Sequence, residues 1–332
     1  MTRLWIGTYP VAGANTPVGL GEGVWSVELD PATGRLSDAR QQAVTPAPSF
    51  LAFAPGRPER LYAVNEHLDG QVTAFDVTPE GLVERAVAGS CGDEPCHLVV
   101  DDSALLVANY TSGTLAAIKL DAEGLFTGEA RFLGHEGSGP VTDRQDGPHA
   151  HFVALDPGGE HVLVVDLGTD EIRRYARTPD GLRADGIAAS FAPGTGPRHL
   201  AFAPDGRHAY VVAELDNAML VLDWSDASGT EIQRVPVSTD SLLSHVVLDG
   251  DRLLVGVRGG DVIVRLAVGE DALLTVVADD ALPGAWPRHL EVVDGWTVVA
   301  EQVGNALTVL DAEGAVVDRL ELPSPTCIVT AG

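Results

Sequence analysis

The sequence predicts an all-β fold, a seven-bladed β-propeller with four-stranded antiparallel blades, and three observations carry that reading. A short segment recurs seven times, each time opening an apolar strand. The strand that follows it ends at a regular period. One of the seven copies is divided between the two ends of the chain, which would close the ring.

The recurrent segments are Pro48-Ser49-Phe50-Leu51, Pro95-Cys96-His97-Leu98, His149-Ala150-His151-Phe152, Pro197-Arg198-His199-Leu200, Leu243-Ser244-His245-Val246, Pro287-Arg288-His289-Leu290 and Pro325-Thr326-Cys327-Ile328. Aligned in this way they put five of the ten histidines, His97, His151, His199, His245 and His289, into one column. The second strand of each copy ends at Asn65, Asn109, Asp166, Ala213, Val257 and Glu301, with successive spacings of 44, 57, 47, 44 and 44 residues. A period of roughly 40 to 50 residues with about four short strands per repeat is the signature of a propeller blade. The seventh copy has its first strand around Cys327 to Thr330 and its second at Leu4 to Thr8, so the two ends of the chain share a blade and no edge strand is left open.

Turns such as Pro204-Asp205-Gly206-Arg207 and Asp249-Gly250-Asp251 punctuate Val-, Leu- and Ala-rich runs, and no long 3.6-residue periodicity competes with the strands. The unbroken repeat makes residues 1–332 a single expected domain, although length alone suggests two.

No apolar stretch is long enough to span a bilayer as a helix, and Met1-Thr2-Arg3-Leu4-Trp5 enters a strand without a signal-peptide pattern. The three cysteines, Cys91, Cys96 and Cys327, are expected to be free thiols in a cytoplasmic protein. A formal charge of −27 argues against nucleic acid and anionic membranes as partners. It does not argue against a local pocket of arginines. The sequence leaves oligomeric state open.

In an antiparallel blade the start of the first strand and the end of the second lie at the same end. Both columns should therefore ring one mouth of the central channel, where a concave polar site is expected. Two insertions fall on this side, Leu133 to Gly147 and Pro10 to Gly23, each a candidate lid. The repeated histidines His97, His199, His245 and His289 suit blade-to-blade contacts, whereas residues that break their column are better candidates for chemistry. His149 stands where proline is usual, and Arg198 and Arg288 stand where Ser, Ala, Cys or Thr is usual. One position beyond the second-strand anchors the series is Glu66, Tyr110, Leu167, Glu214, Arg258 and Gln302. Carboxylates, an arginine and a tyrosine at one level make a site for an anion and a carbonyl.

The segments PHAHFVALDPGGEHVLVVDLGTDEIRRY, GTGPRHLAFAPDGRHAYVVAEL, LLVANYTSGTLAAIKLDAEG and PSFLAFAPGRPERLYAVNE closely resemble the seven-bladed propeller lactonases. That family includes bacterial 6-phosphogluconolactonase and fungal carboxy-cis,cis-muconate cyclase. The resemblance runs over essentially the whole chain and implies an active centre at His151 (with His149 beside it), Arg198, Glu214 and Arg258. The stretch Val255-Gly256-Val257-Arg258-Gly259-Gly260-Asp261 departs from a family pattern nearer VSNRGHD. That departure bears on substrate identity.

Opening a lactone with water needs a base, an oxyanion donor and a proton for the leaving ring oxygen. The expected assignment makes Glu214 or His151 the base, His149 the acid and Arg198 the oxyanion donor. Arg258 and Arg288 would grip a phosphate or carboxylate, because guanidinium meets such groups with two parallel hydrogen bonds. Glu66, Tyr110, His199, His289 and Gln302 complete the expected substrate-binding set. Gly-x-Ser-x-Gly is absent, so no serine nucleophile is expected, and neither a metal nor another cofactor is. The expected activity is hydrolysis of an anionic sugar lactone, in the first place 6-phospho-D-glucono-1,5-lactone to 6-phosphogluconate. A muconate-type lactonising cyclase using the same residues and a non-catalytic binding scaffold are the alternatives.

Overall fold

The computed structural model describes residues 1–9, 21–101, 103–239 and 241–331. Among these residues lie seven four-stranded antiparallel sheets and no helix. Blade 1 is the split one, built from Pro325–Thr330, Thr2–Thr8, Val24–Leu29 and Leu36–Ala43. Blades 2 to 7 open with Leu51–Ala54, Pro95–Val100, Ala150–Leu155, Pro197–Phe202, Leu242–Asp249 and Pro287–Val293, and each continues through the next three strands in chain order. Every blade's first strand touches the first strand of its neighbours, including Pro287–Val293 against Pro325–Thr330 and Pro325–Thr330 against Leu51–Ala54, so the ring is closed.

The second strands read as continuous apolar runs because both of their faces are covered. Residues 61–64, 105–108, 162–165 and 209–213 are buried without alternation, whereas the outer strand Phe126–Gly134 is almost wholly exposed. Blade faces interdigitate: Leu163 and Val165 of blade 4 pack with Val211, Leu220 and Trp224 of blade 5. Each fully buried Leu or Val contributes about 1.5 to 3 kcal/mol. In the split blade, Leu4 pairs with Thr330, Trp5 with Val329, Ile6 with Ile328 and Gly7 with Cys327. Gly7 is required there, since a Cβ would lie 2.2 Å from the Pro48 carbonyl oxygen.

The register corrects one column of the sequence alignment. Pro95 pairs with Asn109 and His97 with Ala108, while in blade 4 Ala150 pairs with Asp166 and Phe152 with Val165. Phe152, not His151, is thus the counterpart of His97, and Ala150, not His149, fills the proline position. The two nearby histidines drew the sequence alignment one residue out of step. The innermost layer is therefore Phe50, His97, Phe152, His199, His245, His289 and Cys327.

That layer does not surround an open central channel of the kind the columns predict. Ring centroids are 4.2 Å apart for Phe50 and His97, 4.0 Å for His97 and Phe152, 4.7 Å for Phe152 and His199, and 4.0 Å for His245 and His289. His97 and His199 face each other at 5.7 Å. The axis is plugged by closely packed rings, most of them tilted and His245 and His289 stacked, which form the floor of the mouth above. All three cysteines are free, Cys91 exposed and Cys96 and Cys327 buried. Most of the Pro10 to Gly23 insertion, residues 10–20, lies outside the described residues.

Candidate active site

Two rows of side chains stand on this floor. The inner row, one residue before the plug, is Thr326, Ser49, Cys96, His151, Arg198, Ser244 and Arg288. The outer row follows the second strands: Tyr9, Glu66, Tyr110, Leu167, Glu214, Arg258 and Gln302. A recurring backbone bond fixes the outer row. The amides of Tyr9, Glu66, Tyr110, Leu167, Glu214 and Gln302 donate to the carbonyls of Ser324, Ala47, Glu94, His149, Gly196 and Trp286, each just before its blade's first strand. Both rows thus converge on one mouth.

Glu214 is fully buried and surrounded by three guanidiniums. Arg198 Nε lies 2.9 Å and Arg258 Nη2 2.6 Å from its Oε2, and Arg144 Nη2 donates to its Oε1 at 2.6 Å. The two Oε2 contacts are close but are not aligned as hydrogen bonds, so among the described residues the bond from Arg144 is the one well-directed donor to this carboxylate. Burial alone would raise the Glu214 carboxyl, but the charges of Arg258, Arg144 and Arg198 overcome it and hold the group far below the carboxylate range. Arg198 also donates to the Ser244 carbonyl at 2.8 Å, and Arg258 to the Leu243 carbonyl at 2.9 Å. The Arg258 guanidinium sits 5.7 Å from the centre of the Trp286 ring.

His151 stands beside this cluster. Burial, then the charge of Arg198, hold its imidazole well below the ordinary value, so it is neutral near pH 7. Its buried Nδ1 has no hydrogen-bond partner among the described residues. Tyr110 meets His151 edge-on at 5.6 Å. Across the mouth, Arg288 Nη2 lies 3.6 Å from Glu66 Oε2, and its Nη1 lies 3.5 Å from Gln302 Oε1. The Arg288 guanidinium is 5.4 Å from the Tyr9 ring centre. Burial raises the Glu66 carboxyl, and Arg288 opposes that rise.

The structure gathers His151, Arg198, Glu214, Arg258 and Tyr110 into one group and Glu66, Arg288 and Gln302 into a second. His199 and His289 lie in the plug beneath them, each 3% exposed. His149 is set behind Tyr110: the two rings stack at 4.4 Å, and the His149 nitrogens contact the Tyr110 carbonyl oxygen and Asp146 Oδ1, each at 3.1 Å.

Sequence reasoning missed Arg144 and Tyr9. Arg144 belongs to the Leu133 to Gly147 insertion, which is pinned to blade 4 at two buried points. His135 Nδ1 meets Asp166 Oδ2 at 2.5 Å, and Gln145 Nε2 donates to the Leu167 carbonyl at 2.9 Å and to Asp170 Oδ1 at 2.8 Å. The loop thereby delivers Arg144 over Tyr110 into the mouth. Among the described residues no group of three His, Cys, Asp or Glu side chains is arranged to hold a metal ion, and no helix is long and apolar enough to cross a membrane.

The described residues thus form a closed seven-bladed ring that carries arginines, a carboxylate and a neutral histidine at one mouth. The chain belongs to the family described as lactonase, 7-bladed beta-propeller, whose model matches residues 3–330, and it is a lactonase enzyme. It is 31% identical over 353 aligned positions to the 6-phosphogluconolactonase of Bacillus subtilis, covering 98% of this chain and 97% of that one. The periplasmic gluconolactonase PpgL of Pseudomonas aeruginosa superposes with a TM-score of 0.90 at 26% identity, over 99% of this chain and 98% of that one. A protein from Lactobacillus plantarum superposes with a TM-score of 0.89 at 26% identity, over 98% of both chains.

Proposed function

We propose that this lactonase hydrolyses a phosphorylated sugar lactone, 6-phospho-D-glucono-1,5-lactone, to 6-phosphogluconate. The observation that carries the reading is the excess of charge around Glu214. Three guanidiniums share one carboxylate in a buried mouth of a chain whose net charge is −27. Such a mouth attracts a small anion that the rest of the surface repels. The names of the Bacillus and Pseudomonas relatives support sugar lactones as the substrate class.

In the proposed reaction His151 is the base. It is neutral and its buried Nδ1 has no partner among the described residues, whereas Glu214 is committed to its three arginines. Nδ1 takes a proton from water as the water oxygen attacks the lactone carbonyl carbon. Arg198 stabilises the resulting oxyanion. The carbon–ring-oxygen bond then breaks, and the ring oxygen takes the proton back from His151. One histidine can thus act as base and then as acid, which leaves His149 to position Tyr110. Arg258 and Arg288 hold the substrate's anionic group, and Glu214 fixes the guanidiniums around it.

The test is hydrolysis of freshly generated 6-phosphogluconolactone and of gluconolactone by wild type, His151→Asn and Arg258→Ala, with a chelator-treated control. Loss of kcat by about 10²- to 10⁴-fold in His151→Asn, a raised KM in Arg258→Ala and no effect of chelator support the scheme. Failure of the wild type to accelerate either lactone would overturn the proposed substrate, and full activity of His151→Asn would overturn the base.

A further inference from the structure

Four guanidiniums face the mouth, and one of them differs from the rest. Arg198, Arg258 and Arg288 rise from strands, and their side chains are only 3%, 6% and 8% exposed. Arg144 comes from the insertion, and its side chain is 18% exposed. Its base is fixed because the neighbouring Gln145 is fully buried and bound to Leu167 and Asp170. Among the described residues its tip is held by Nη2 alone, at 2.6 Å from Glu214 Oε1 and 3.4 Å from the Tyr110 hydroxyl, and its buried Nε has no partner. Glu214 already has two guanidiniums beside Oε2, so Arg144 is not needed to neutralise it. A long side chain with an anchored root and a single-point hold at its tip can change partner without moving the fold.

We propose that Arg144 is an exchangeable latch that moves from Glu214 to the phosphate of the substrate and so makes the site prefer phosphorylated over neutral lactones. The proposal rests on the lactonase reading above. A phosphate offers two oxygens to the planar guanidinium, a better match than the single contact with Oε1. The exchange brings negative charge into the arginine cluster and frees Glu214 Oε1 to accept a hydroxyl of the sugar. A neutral lactone offers no such replacement and must compete with an intact ion pair. The insertion would therefore act as a selector of substrate charge.

Two measurements on Arg144→Gln and Arg144→Lys test this: calorimetric binding of inorganic phosphate, and the ratio of kcat/KM for 6-phosphogluconolactone to that for gluconolactone. Loss of one charge-assisted contact predicts phosphate binding weaker by about 10- to 100-fold in Arg144→Gln, with the substrate ratio falling by a similar factor. Arg144→Lys, which keeps the charge but not the two-pronged geometry, is expected to recover part of both and covers the case in which Arg144→Gln fails to fold. An unchanged ratio, with both lactones losing activity equally and phosphate binding unaltered, would overturn the latch. A wild type that binds phosphate through Arg144 yet hydrolyses neither lactone would overturn the proposed reaction and support the latch. A wild type that hydrolyses both lactones but binds phosphate no better than Arg144→Gln would overturn the latch alone.

Discussion

Arg198 Nη1 lies 3.1 Å from His199 Nε2, and this contact fixes a tautomer. A guanidinium can only donate, so His199 Nε2 accepts and the neutral ring carries its proton on Nδ1. That proton points at His245 Nδ1, 2.7 Å away, which must then be an acceptor. One arginine of the mouth thus orders the plug below it, and the order holds only while both imidazoles are neutral.

Acid should therefore attack the plug first. Burial is the leading cause that holds His97, His199, His245 and His289 below the ordinary imidazole value, His289 at about 3. In the unfolded chain these groups protonate near pH 6.5. Their contribution to stability is complete above about pH 6.5 and is lost as pH falls from there towards the folded values, at about 1.4 kcal/mol per pH unit for each histidine. Urea unfolding midpoints between pH 8 and pH 5 check this. His289→Phe should weaken the pH dependence while keeping the stack, since Phe50 and Phe152 already fill the same layer. An unaltered slope would show that His289 is not a source of the pH dependence.

Glu214→Gln removes the one carboxylate shared by three guanidiniums. The cost expected for stranding buried charge is about 3 to 5 kcal/mol. Adding Arg144→Gln to that variant relieves part of the repulsion, so the two substitutions should be non-additive by about 1 to 3 kcal/mol. Chemical denaturation of the two single variants and the double variant measures the coupling.

Asp166 joins the insertion to blade 4. Its Oδ2 meets His135, and its Oδ1 accepts the amides of His149, Gly168 and Thr169 at 2.8, 2.9 and 3.1 Å. Asp166→Asn should loosen residues 133–147 more than the blades. Faster amide exchange confined to that segment, with a lower kcat/KM for an anionic lactone, is the expected result.

Gly7→Ala should be destabilising out of proportion to its size. The added carbon would overlap the Pro48 carbonyl at the seam between blades 1 and 2, costing about 1 to 3 kcal/mol. A thermal melt compared with that of Gly89→Ala would separate the clash from glycine's intrinsic effect. Gly89 lies in a strand, without a left-handed φ and with open space around it.

The ring was legible because its signal repeats: each second strand is covered on both faces and ends at the same level, so the columns ending in Asn65, Asn109 and Glu301 could be laid over one another. The same logic led to Arg198, Glu214 and Arg258 as inward residues. It failed where spacing stops reporting position. His151 imitated the plug histidines from one residue away, and only the pairing of Phe152 with Val165 shows which side chain reaches the axis. Tyr9 was within reach, since it follows Thr8 as Glu66 follows Asn65. Arg144 was not, because a loop residue has no column, and its place depends on two anchors, His135 and Gln145, whose partners Asp166 and Asp170 lie 31 and 25 residues away.

The pairing of Leu4 with Thr330 also sets a timetable. The strand Thr2–Thr8 leaves the ribosome well before its partner Pro325–Thr330, which follows roughly 320 residues later, some tens of seconds at ordinary rates of synthesis. Throughout that interval the nascent chain carries a strand one of whose two neighbours has not yet been made. Closure of the ring is therefore a handshake between an early-made and a late-made strand, and a cell that stalls translation before the later one holds a ring with one seam open.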